Sequence, residues 1–426
     1  MTLPQPPPAR LDLVLWHVDR FPTAPGVYLG CLRRRGHRIT WVTSQESDGY
    51  RVVEREEEGA RFIEIHRLRD SGLGGPLGML ANRWRKLRGF FLKVGVMRRL
   101  AAERPDVLQV RDMMTEGMLA AHYGRRFGVP FAFYFDYPHE ESSLRLMDEV
   151  GQRGPLRRAV LRWWIRRREN LLRRAQLLFV VSATQEERVR TRLGVRPERI
   201  VRFPVGVSVE VFGLAAAEPP GPGSTAAAPT VCYLGNLTAN RDPAFLFRVF
   251  EEVRRRLPEA RFLLIGESNP EVQRLVLSFS APAAVEVTGA VPHAEVPGCL
   301  RTAHVGVFPL PLDDPYGIFL TSSPLKVVEY LAAGLPVVSS RVPDAVALLS
   351  ASGGGVCVEN DPAAFAEAIA AYLRDPALTR EHGARGREYV RRHRSFDVLA
   401  DRVEQAYLNL RERGVPNLPG TGAART

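Results

Sequence analysis

Cysteine is scarce in this sequence, and long apolar runs are missing from it. Its four cysteines are scattered, form no CxxC pair and have no histidine at ligand spacing: Cys31, Cys232, Cys299 and Cys357. This pattern is typical of a reduced cytosolic protein and argues against a zinc site. No apolar run reaches the roughly 18 residues that span a bilayer, and the N-terminal MTLPQPPPAR lacks the basic-then-apolar order of a secretory signal. We therefore expect a cytoplasmic protein with no transmembrane helix and no bound metal.

Several ligand-binding fingerprints are missing as well. The sequence contains no GxxxxGK[ST], which argues against a P-loop, and no GxGxxG follows a strand, which argues against a dinucleotide dehydrogenase. It contains no zinc-finger, RNP or basic-zipper pattern, so a nucleic-acid-binding protein is the least favoured class.

Positive charge is concentrated in the first half of the 426 residues. The whole chain carries a formal net charge of +12, yet residues 1–212 hold 38 Lys and Arg against 24 Asp and Glu, and residues 213–426 hold 21 against 23. A basic half can face nucleic acid, an anionic membrane or an acidic substrate.

Short apolar runs alternate with amphipathic segments in both halves, which predicts α/β domains with parallel sheets covered on both faces. We expect two Rossmann-like domains that face a central cleft. The twelve strand candidates are 11–16, 38–43, 61–66, 106–110, 130–135, 177–181, 230–235, 261–266, 285–289, 305–310, 336–340 and 355–359.

The domain boundary is predicted from composition. Residues 213–230 (GLAAAEPPGPGSTAAAPT) are small, rich in Pro and Gly and nearly uncharged, which is typical of a linker. We expect an N-terminal domain over 1–212 and a C-terminal domain over 231–395. A helix over 396–414 can pack back on the N-terminal domain, and a tail over 415–426 is expected to be disordered.

The segment TVCYLGNLTANRDPAFLF combines a glycine turn with a helix entry. Gly235 and Asn236 follow a strand, and a helix is expected near Pro243, after Asp242. Backbone N–H groups at such a turn can face a phosphate, and Arg241 adds a positive charge. An ordinary strand–helix turn with a solvated arginine remains the alternative.

A second segment, TSSPLKVVEYLAAG, places Ser322 and Ser323 before Pro324 at a helix start, where hydroxyls and the helix N-terminus can hold an anion. Lys326 and Glu329 are three residues apart on one helical face. The lysine can reach a phosphate and the carboxylate can accept ribose hydroxyls. The alternative is a surface Lys–Glu pair on a capped helix.

Together the two segments resemble the retaining glycosyltransferases of the family 4 type, which have the GT-B fold. LRRRGHRITWVTS, the segment from LLFVVSATQEERV to VGVSVEVF, and VTGAVPHAEVPGCLRTAHVGVFPL are similar to the family in order and spacing. The resemblance covers most of residues 11–410.

The resemblance implies roles for further residues. It places Gly235 and Asn236 by the donor diphosphate, Arg241 in a diphosphate clamp, and Glu329 on the donor ribose. It also implies that the donor binds mainly the C-terminal domain and the acceptor the N-terminal one.

By the same resemblance, Glu267 ends the strand that approaches the nucleotide base, and Phe308 helps to wall the base pocket. Pro25 and Gly26 stand where the family has a glycine pair near the donor phosphate or the acceptor, although a plain tight turn fits Gly26 nearly as well.

The sequence departs from the family pattern at three positions. Thr321 stands in place of the first glutamate of a paired motif, which resembles a subgroup that reads S-P-L-K before the ribose glutamate. Ser208 replaces the aspartate of a G-V-D triplet, and Asp136 replaces the active-site histidine.

The segment FDYPHEESS follows a strand, so its polar groups are candidates for acceptor chemistry. Asp136 can orient the acceptor or accept its proton, and His139 has a pKa better matched to that role at neutral pH. The alternative is that Asp136 caps a turn and His139 lies in solvent.

Two Arg-rich segments, 81–99 and 151–174, carry Trp and Phe among the basic residues, and the second contains nine Arg and one acid around Trp163 and Trp164. Basic helices with aromatic residues are typical of elements that dock on anionic lipid. Two solvated helices whose Trp and Leu side chains pack inward are the equally weighted alternative.

We therefore expect an enzyme that transfers a sugar from a nucleoside diphosphate to an acceptor hydroxyl on a glycan, a lipid-linked molecule or a small molecule. The resemblance implies retention of configuration, no metal requirement and no cofactor other than the nucleotide sugar as co-substrate. The alternative is a donor-binding protein with weak or no catalysis.

Overall fold

The computed structural model describes residues 10–17, 22–70, 75–149, 151, 154–213, 228–238, 241–310, 318 and 321–413. Most of the predicted linker and the whole predicted tail over 415–426 lie outside these described residues.

The chain divides into two compact units. The first comprises Met1–Val180, Glu186–Phe203 and Ala400–Thr426, and the second comprises Val181–Gln185 and Pro204–Leu399. The last helix, Phe396–Arg413, therefore belongs mainly to the first unit, where Tyr407 is fully buried and its hydroxyl lies 3.1 Å from that of Tyr28.

The first unit is built on an eight-stranded sheet of order β3-β4-β2-β1-β5-β6-β7-β8. All neighbours are parallel except β3 and β4. The strands are β1 (Asp12–Trp16), β2 (Arg38–Ser47), β3 (Arg51–Glu57), β4 (Ala60–Leu68), β5 (Val107–Arg111), β6 (Phe131–Phe135), β7 (Leu177–Val180) and β8 (Ile200–Arg202).

Helices cover this sheet and bury its largely apolar strands. They are Thr23–Pro25, which continues as a π-helical segment over Gly26–Leu32, then Gly75–Ala102, Met114–Phe127, His139–Glu149, Pro155–Arg174, Ala183–Leu193, the short 3₁₀ turn Pro197–Arg199 and Phe396–Arg413.

The second unit has a six-stranded, fully parallel sheet of order β11-β10-β9-β12-β13-β14. Its strands are β9 (Thr230–Leu234), β10 (Arg261–Ile265), β11 (Val285–Val287), β12 (Val305–Phe308), β13 (Val337–Ser340) and β14 (Gly355–Val358). Its helices are Pro243–Arg256, Pro270–Ser278, Val296–Leu300, Leu325–Ala332, Pro343–Ser352, Pro362–Arg374 and Pro376–His393, with 3₁₀ turns at Pro282–Ala284 and His293–Glu295.

Two parallel-sheet α/β domains were predicted, and this is confirmed. All twelve strand candidates form strands. Two further strands of the described residues were missed because neither has an apolar run: β3 is a charged, exposed edge strand, and β8 is a three-residue strand that ends on the exposed Arg202.

Both sheets contain the strand order of a Rossmann fold, so each has a point where successive connections change direction. In the first unit it lies between β1 and β5, and in the second between β9 and β12. Ligands of open α/β sheets bind outside the carboxyl ends of strands at this switch point. The residues that follow β5, β9 and β12 are therefore candidates for the site in each unit.

Candidate functional site

A glycine turn lies at the carboxyl end of β9, at the switch point of the second unit. Gly235 has a φ of +109°, and a Cβ at this position would overlap the side chain of Lys326. Glycine avoids both the conformational strain and the overlap. It therefore lets the lysine reach the end of β9.

Two sequence-predicted donor residues hold this turn against the end of β10. The side-chain oxygen of Asn236 accepts the backbone N–H of Glu267 at 3.1 Å, and its amide lies 3.4 Å from a carboxylate oxygen of Glu267. Gly266 has a φ of +152°, and its Cβ position would clash with the backbone of Gly235. The two loops consequently form one packed edge.

Lys326 lies in the first turn of helix Leu325–Ala332, which we call the donor helix. Burial, and then the nearby charge of Arg241, lowers the pKa of Lys326 to about 8. Arg241 itself follows the glycine turn and precedes Asp242, which caps helix Pro243–Arg256 by accepting the N–H of Phe245 at 2.9 Å. Two positively charged side chains thus interact electrostatically beside a glycine turn. This arrangement is suited to binding the negative charge of a diphosphate.

Glu329 lies one turn further along the donor helix and is only 4% exposed. Its Oε1 atom lies 2.8 Å from Nε2 of His293, a residue that we did not single out in the sequence. The hydrogen bond to Glu329 raises the pKa of His293 above its usual value. Glu329 is buried and Lys326 is half-buried, so the two do not form the exposed surface pair that the alternative requires.

The predicted serine N-cap of the donor helix is also wrong. The cap position is Pro324, with no side-chain capping bond, and the helix begins at Leu325. Ser323 instead donates its hydroxyl to Asp344 at 2.9 Å, because helix Pro343–Ser352 brings that buried carboxylate within reach. Ser322 is half-buried beside it, and Thr321 is buried with its carbonyl accepting the hydroxyl of Ser182.

Phe308 and Gly26 complete the nominated donor residues. Phe308 is the last residue of β12 and is buried, so its place in a base pocket stays a prediction. Gly26 lies within a helical segment with a φ of −59°, not in the loop or tight turn that we expected. Backbone conformation therefore does not require glycine there.

A second polar cluster lies at the switch point of the first unit, where β5 and β6 end. Asp136, directly after β6, forms an ion pair with Arg111, whose guanidinium is buried and lies over the ring of Tyr134. The guanidinium is a charged hydrogen-bond partner that holds this carboxylate at the end of β6. If Asp136 only capped a turn, which was the alternative interpretation, its ion pair with Arg111 would be unexplained.

Asp112 is a candidate that we missed in the sequence. It follows β5, adopts an unusual φ of +55°, and its Oδ1 accepts the N–H groups of Asp136 at 2.8 Å and Tyr137 at 3.3 Å. Burial, followed by the charge of Asp136, raises the pKa of Asp112. Its position directly after an apolar strand could have marked Asp112 as a candidate site residue. Its hydrogen-bond partners, however, are 24 and 25 residues away in the sequence, so the sequence did not show which residues it contacts.

His139 opens helix His139–Glu149 and lies beside this aspartate. Its Nε2 atom is 3.9 Å from Oδ2 of Asp112, and its side chain is 56% exposed. The structure thus brings both sequence-predicted acceptor residues to one loop, where a buried carboxylate orders the backbone between them. An exposed imidazole over a buried carboxylate can exchange a proton with a bound hydroxyl.

The two Arg-rich segments form helices Gly75–Ala102 and Pro155–Arg174, which both pack against helix Met114–Phe127. The first exposes several large apolar side chains: Met79, Leu80, Trp84, Leu87 and Phe91. The second exposes Leu156, Val160 and Trp163, whereas Trp164 packs against the core. We call these eight exposed residues the apolar face.

Two kinds of feature are absent from the described parts of the chain. There, no helix is long and apolar enough to cross a membrane. Nor do the described side chains include a group of three or more His, Cys, Asp or Glu arranged to hold a metal ion.

Two protein families match this chain. Residues 28–206 match the family described as glycosyl transferase 4-like domain, and residues 228–375 match glycosyl transferases group 1. The first match begins after β1 and covers β2 to β8, and the second covers β9 to β14 with the switch point of that sheet.

Curated relatives match over part of the chain. One component of the phosphatidylinositol N-acetylglucosaminyltransferase of Arabidopsis thaliana is 30% identical over 38% of this chain and 34% of its own length. The phosphatidyl-myo-inositol mannosyltransferase of Mycobacterium leprae is 29% identical over 49% of this chain and 53% of its own length. The matches thus span between a third and about half of these relatives.

Solved structures match over nearly the whole chain. An α,α-trehalose-phosphate synthase (UDP-forming) from Burkholderia vietnamiensis superposes with a TM-score of 0.66 at 14% identity, covering 94% of this chain and 98% of the other. The Anabaena protein HepE in complex with UDP-glucose superposes with a TM-score of 0.64 at 12% identity, covering 94% and 100%. At these identities the likeness shows the fold.

Proposed function

We propose that this chain, a glycosyltransferase of the GT-B fold, transfers a sugar from a nucleoside diphosphate to a hydroxyl group of a lipid-linked or glycan acceptor. The proposal rests mainly on the turn after β9 in the second unit. There Lys326 packs on Gly235 and interacts electrostatically with Arg241, which makes the turn positively charged. Glu329, one turn away on the donor helix, supplies a carboxylate for ribose hydroxyls.

The leaving group of this reaction is a diphosphate, whose negative charge grows as the bond to the sugar breaks. Positive groups already in place at that point stabilise the transition state more than the ground state. Lys326 and Arg241 are suited to this role. We propose that they act without a metal ion and that the sugar keeps its anomeric configuration.

The acceptor is proposed to bind the first unit at the ends of β5 and β6. There the side chain of Asp136 can accept a hydrogen bond from an acceptor hydroxyl or stabilise positive charge on the sugar ring. His139 is the better placed proton acceptor, because it is exposed and lies beside the carboxylate of Asp112. The proton of the acceptor hydroxyl would pass to His139 as the new glycosidic bond forms.

A lipid-linked acceptor is favoured by the apolar face and the charge around it. Helix Gly75–Ala102 carries Arg83, Arg85, Lys86 and Arg88 among its exposed apolar residues. The curated relatives named above act, by their names, on phosphatidylinositol lipids. We propose that this face rests on an anionic membrane surface, at the cytoplasmic side.

The proposal is tested by presenting purified protein with UDP-glucose, UDP-N-acetylglucosamine and GDP-mannose and measuring binding by thermal shift and calorimetry. Ligands that bind the folded state raise its melting temperature. The nucleotide sugar that binds is then offered with extracted membrane lipids, and a product heavier by one sugar is sought by mass spectrometry.

Two results separate the alternatives. Binding without sugar transfer or hydrolysis would favour a donor-binding protein that lacks catalysis. Absence of binding to all three nucleotide sugars would contradict the proposed donor class.

A further inference from the structure

We infer that His293 is a positioning residue of the donor site, which holds the carboxylate of Glu329 in the orientation that accepts the donor ribose. This inference rests on the proposed function, because it assigns Glu329 a hydroxyl-bearing ligand. It adds a residue from a different part of the chain, 36 positions before the glutamate.

The geometry makes His293 a hydrogen-bond partner of a buried carboxylate. It opens the 3₁₀ turn His293–Glu295, which follows β11 and leads into helix Val296–Leu300. Its Nε2 atom reaches Oε1 of Glu329 at 2.8 Å. The imidazole is 38% exposed, whereas the glutamate side chain is 5% exposed, so the histidine lies between solvent and the carboxylate.

A glutamate at this position needs such a partner. An unpaired carboxyl group that is buried tends to take up a proton, and it then offers fewer acceptor sites. A hydrogen bond to one oxygen leaves the second oxygen with its lone pairs available to hydroxyl donors. His293 therefore holds the Oε1 atom of Glu329 and leaves its Oε2 atom to face the ligand.

The surroundings keep the imidazole in place. The ring of Phe212 lies edge-on to His293 at a centroid distance of 6.3 Å. Among the described charged groups, Lys326 on the same helix interacts electrostatically with Glu329, and Arg387 donates to the carbonyl of Phe212 at 3.2 Å. Because the pKa of His293 is raised, the imidazole stays protonated to a higher pH, and its hydrogen bond to Glu329 is charge-assisted over a wider pH range.

Calorimetry with whichever of UDP-glucose, UDP-N-acetylglucosamine and GDP-mannose binds the wild type provides the first test. His293→Ala is expected to raise the Kd about tenfold, because the carboxylate loses its orientation. His293→Gln keeps an N–H donor and should stay within about threefold of wild type. His382→Gln is the matched control, since His382 bonds Tyr372 in the same unit and should leave the Kd unchanged.

Two further readouts separate positioning from a general structural role. In a Glu329→Gln background, His293→Ala should add little, because the histidine acts through that carboxylate. Between about pH 6 and about pH 8, the Kd of the wild type should rise about threefold more than that of His293→Gln, which has no imidazole to titrate. Lys326 titrates in both proteins, so its contribution cancels in this comparison.

The outcomes are distinguishable. An unchanged Kd in His293→Ala, or a full additional loss in the Glu329→Gln background, overturns the inference alone. A lower Kd in His293→Ala would show that the imidazole blocks the carboxylate, which overturns it as well. A wild type that binds none of the three nucleotide sugars overturns the proposed function and the inference together.

Discussion

At the scale of single residues, the second unit places ionisable side chains on one helix turn and keeps them from bulk water. Glu329 is buried and Lys326 is half-buried, although Lys and Glu are among the residues that proteins bury least. Burial of this kind is destabilising unless a partner or ligand compensates it. Such residues are therefore where we expect substitutions to change binding more than folding.

Glu329→Ala is expected to weaken binding of the nucleotide sugar by about ten- to a hundredfold while the fold survives, because the ribose loses its carboxylate. Calorimetry measures the loss, and circular dichroism monitors the fold. Glu388→Ala is the control, since that side chain pairs with arginines on the exposed side of helix Pro376–His393. Equal affinities in Glu329→Ala and wild type would remove Glu329 from the donor site.

Raising the pH should weaken donor binding through Lys326. Its pKa is lowered to about 8, so the amine is charged below that pH and loses its charge as the pH rises through it. The attraction to a diphosphate is therefore present at about pH 7 and lost by about pH 9, with an expected rise in Kd of about tenfold. Lys326→Met should bind weakly at both pH values, and a wild-type Kd that is flat across this range would contradict the assignment.

Asp136→Asn is expected to lower turnover about a hundredfold, which corresponds to about 3 kcal/mol of transition-state stabilisation. Nucleotide binding should remain near wild type, because Asp136 lies in the first unit and all nominated donor residues except Gly26 lie in the second. The melting temperature must be measured alongside, since the variant removes the ion pair between Asp136 and the buried Arg111.

His139→Ala, assayed beside it, distinguishes the two candidates for proton acceptor. Wild-type turnover in Asp136→Asn together with an inactive His139→Ala would place the proton transfer on the histidine alone.

At the scale of elements, the turn after β9 depends on the donor helix as much as on its own sequence. Gly235 has a φ that disfavours other residues, and the space beside it is filled by Lys326. In the first unit the loop after β6 is ordered by Asp112 from the end of β5. Each site loop is thus held by a residue from a neighbouring element.

Gly235→Ala is expected to lose donor binding and to destabilise the protein by about 1–3 kcal/mol from backbone strain, with the displaced lysine as a further effect. Gly128→Ala is the matched control, because its φ of +73° is also positive but a Cβ there meets no atom within 4 Å. Chemical denaturation and calorimetry on both variants separate strain from loss of the site. Retained donor affinity in Gly235→Ala would show that Lys326 need not reach the turn.

At the scale of the whole molecule, positive charge and exposed apolar side chains occur together in the first half of the sequence. Trp84 is 65% exposed and Phe91 is 62% exposed on a helix that also carries many basic residues. Apolar insertion and attraction to anionic lipid reinforce one another at a bilayer surface.

The protein should co-sediment with vesicles that contain acidic lipid and bind neutral vesicles far less, by about 1 kcal/mol for each basic residue near the surface. Changing Trp84 and Phe91 to Ser should release it, and Leu277→Ser should not, because that exposed leucine lies in the less basic half. Equal sedimentation with neutral and acidic vesicles, or none with either, would reject a membrane-bound acceptor site.

Local sequence patterns were enough to predict the α/β architecture and to nominate candidate donor residues. Apolar runs of strand length predicted twelve of the fourteen strands in the described residues. Gly235, Lys326 and Glu329 could be nominated because each lies in a local strand–turn–helix pattern. Tertiary structure alone decided which side chains meet. Asp112 and His293 gain their importance from partners 24 and 36 residues away, and Ser323 bonds Asp344 instead of capping its own helix. Local patterns reflect backbone periodicity and turn chemistry, whereas these contacts depend on the register of strands and the packing of helices distant in the chain.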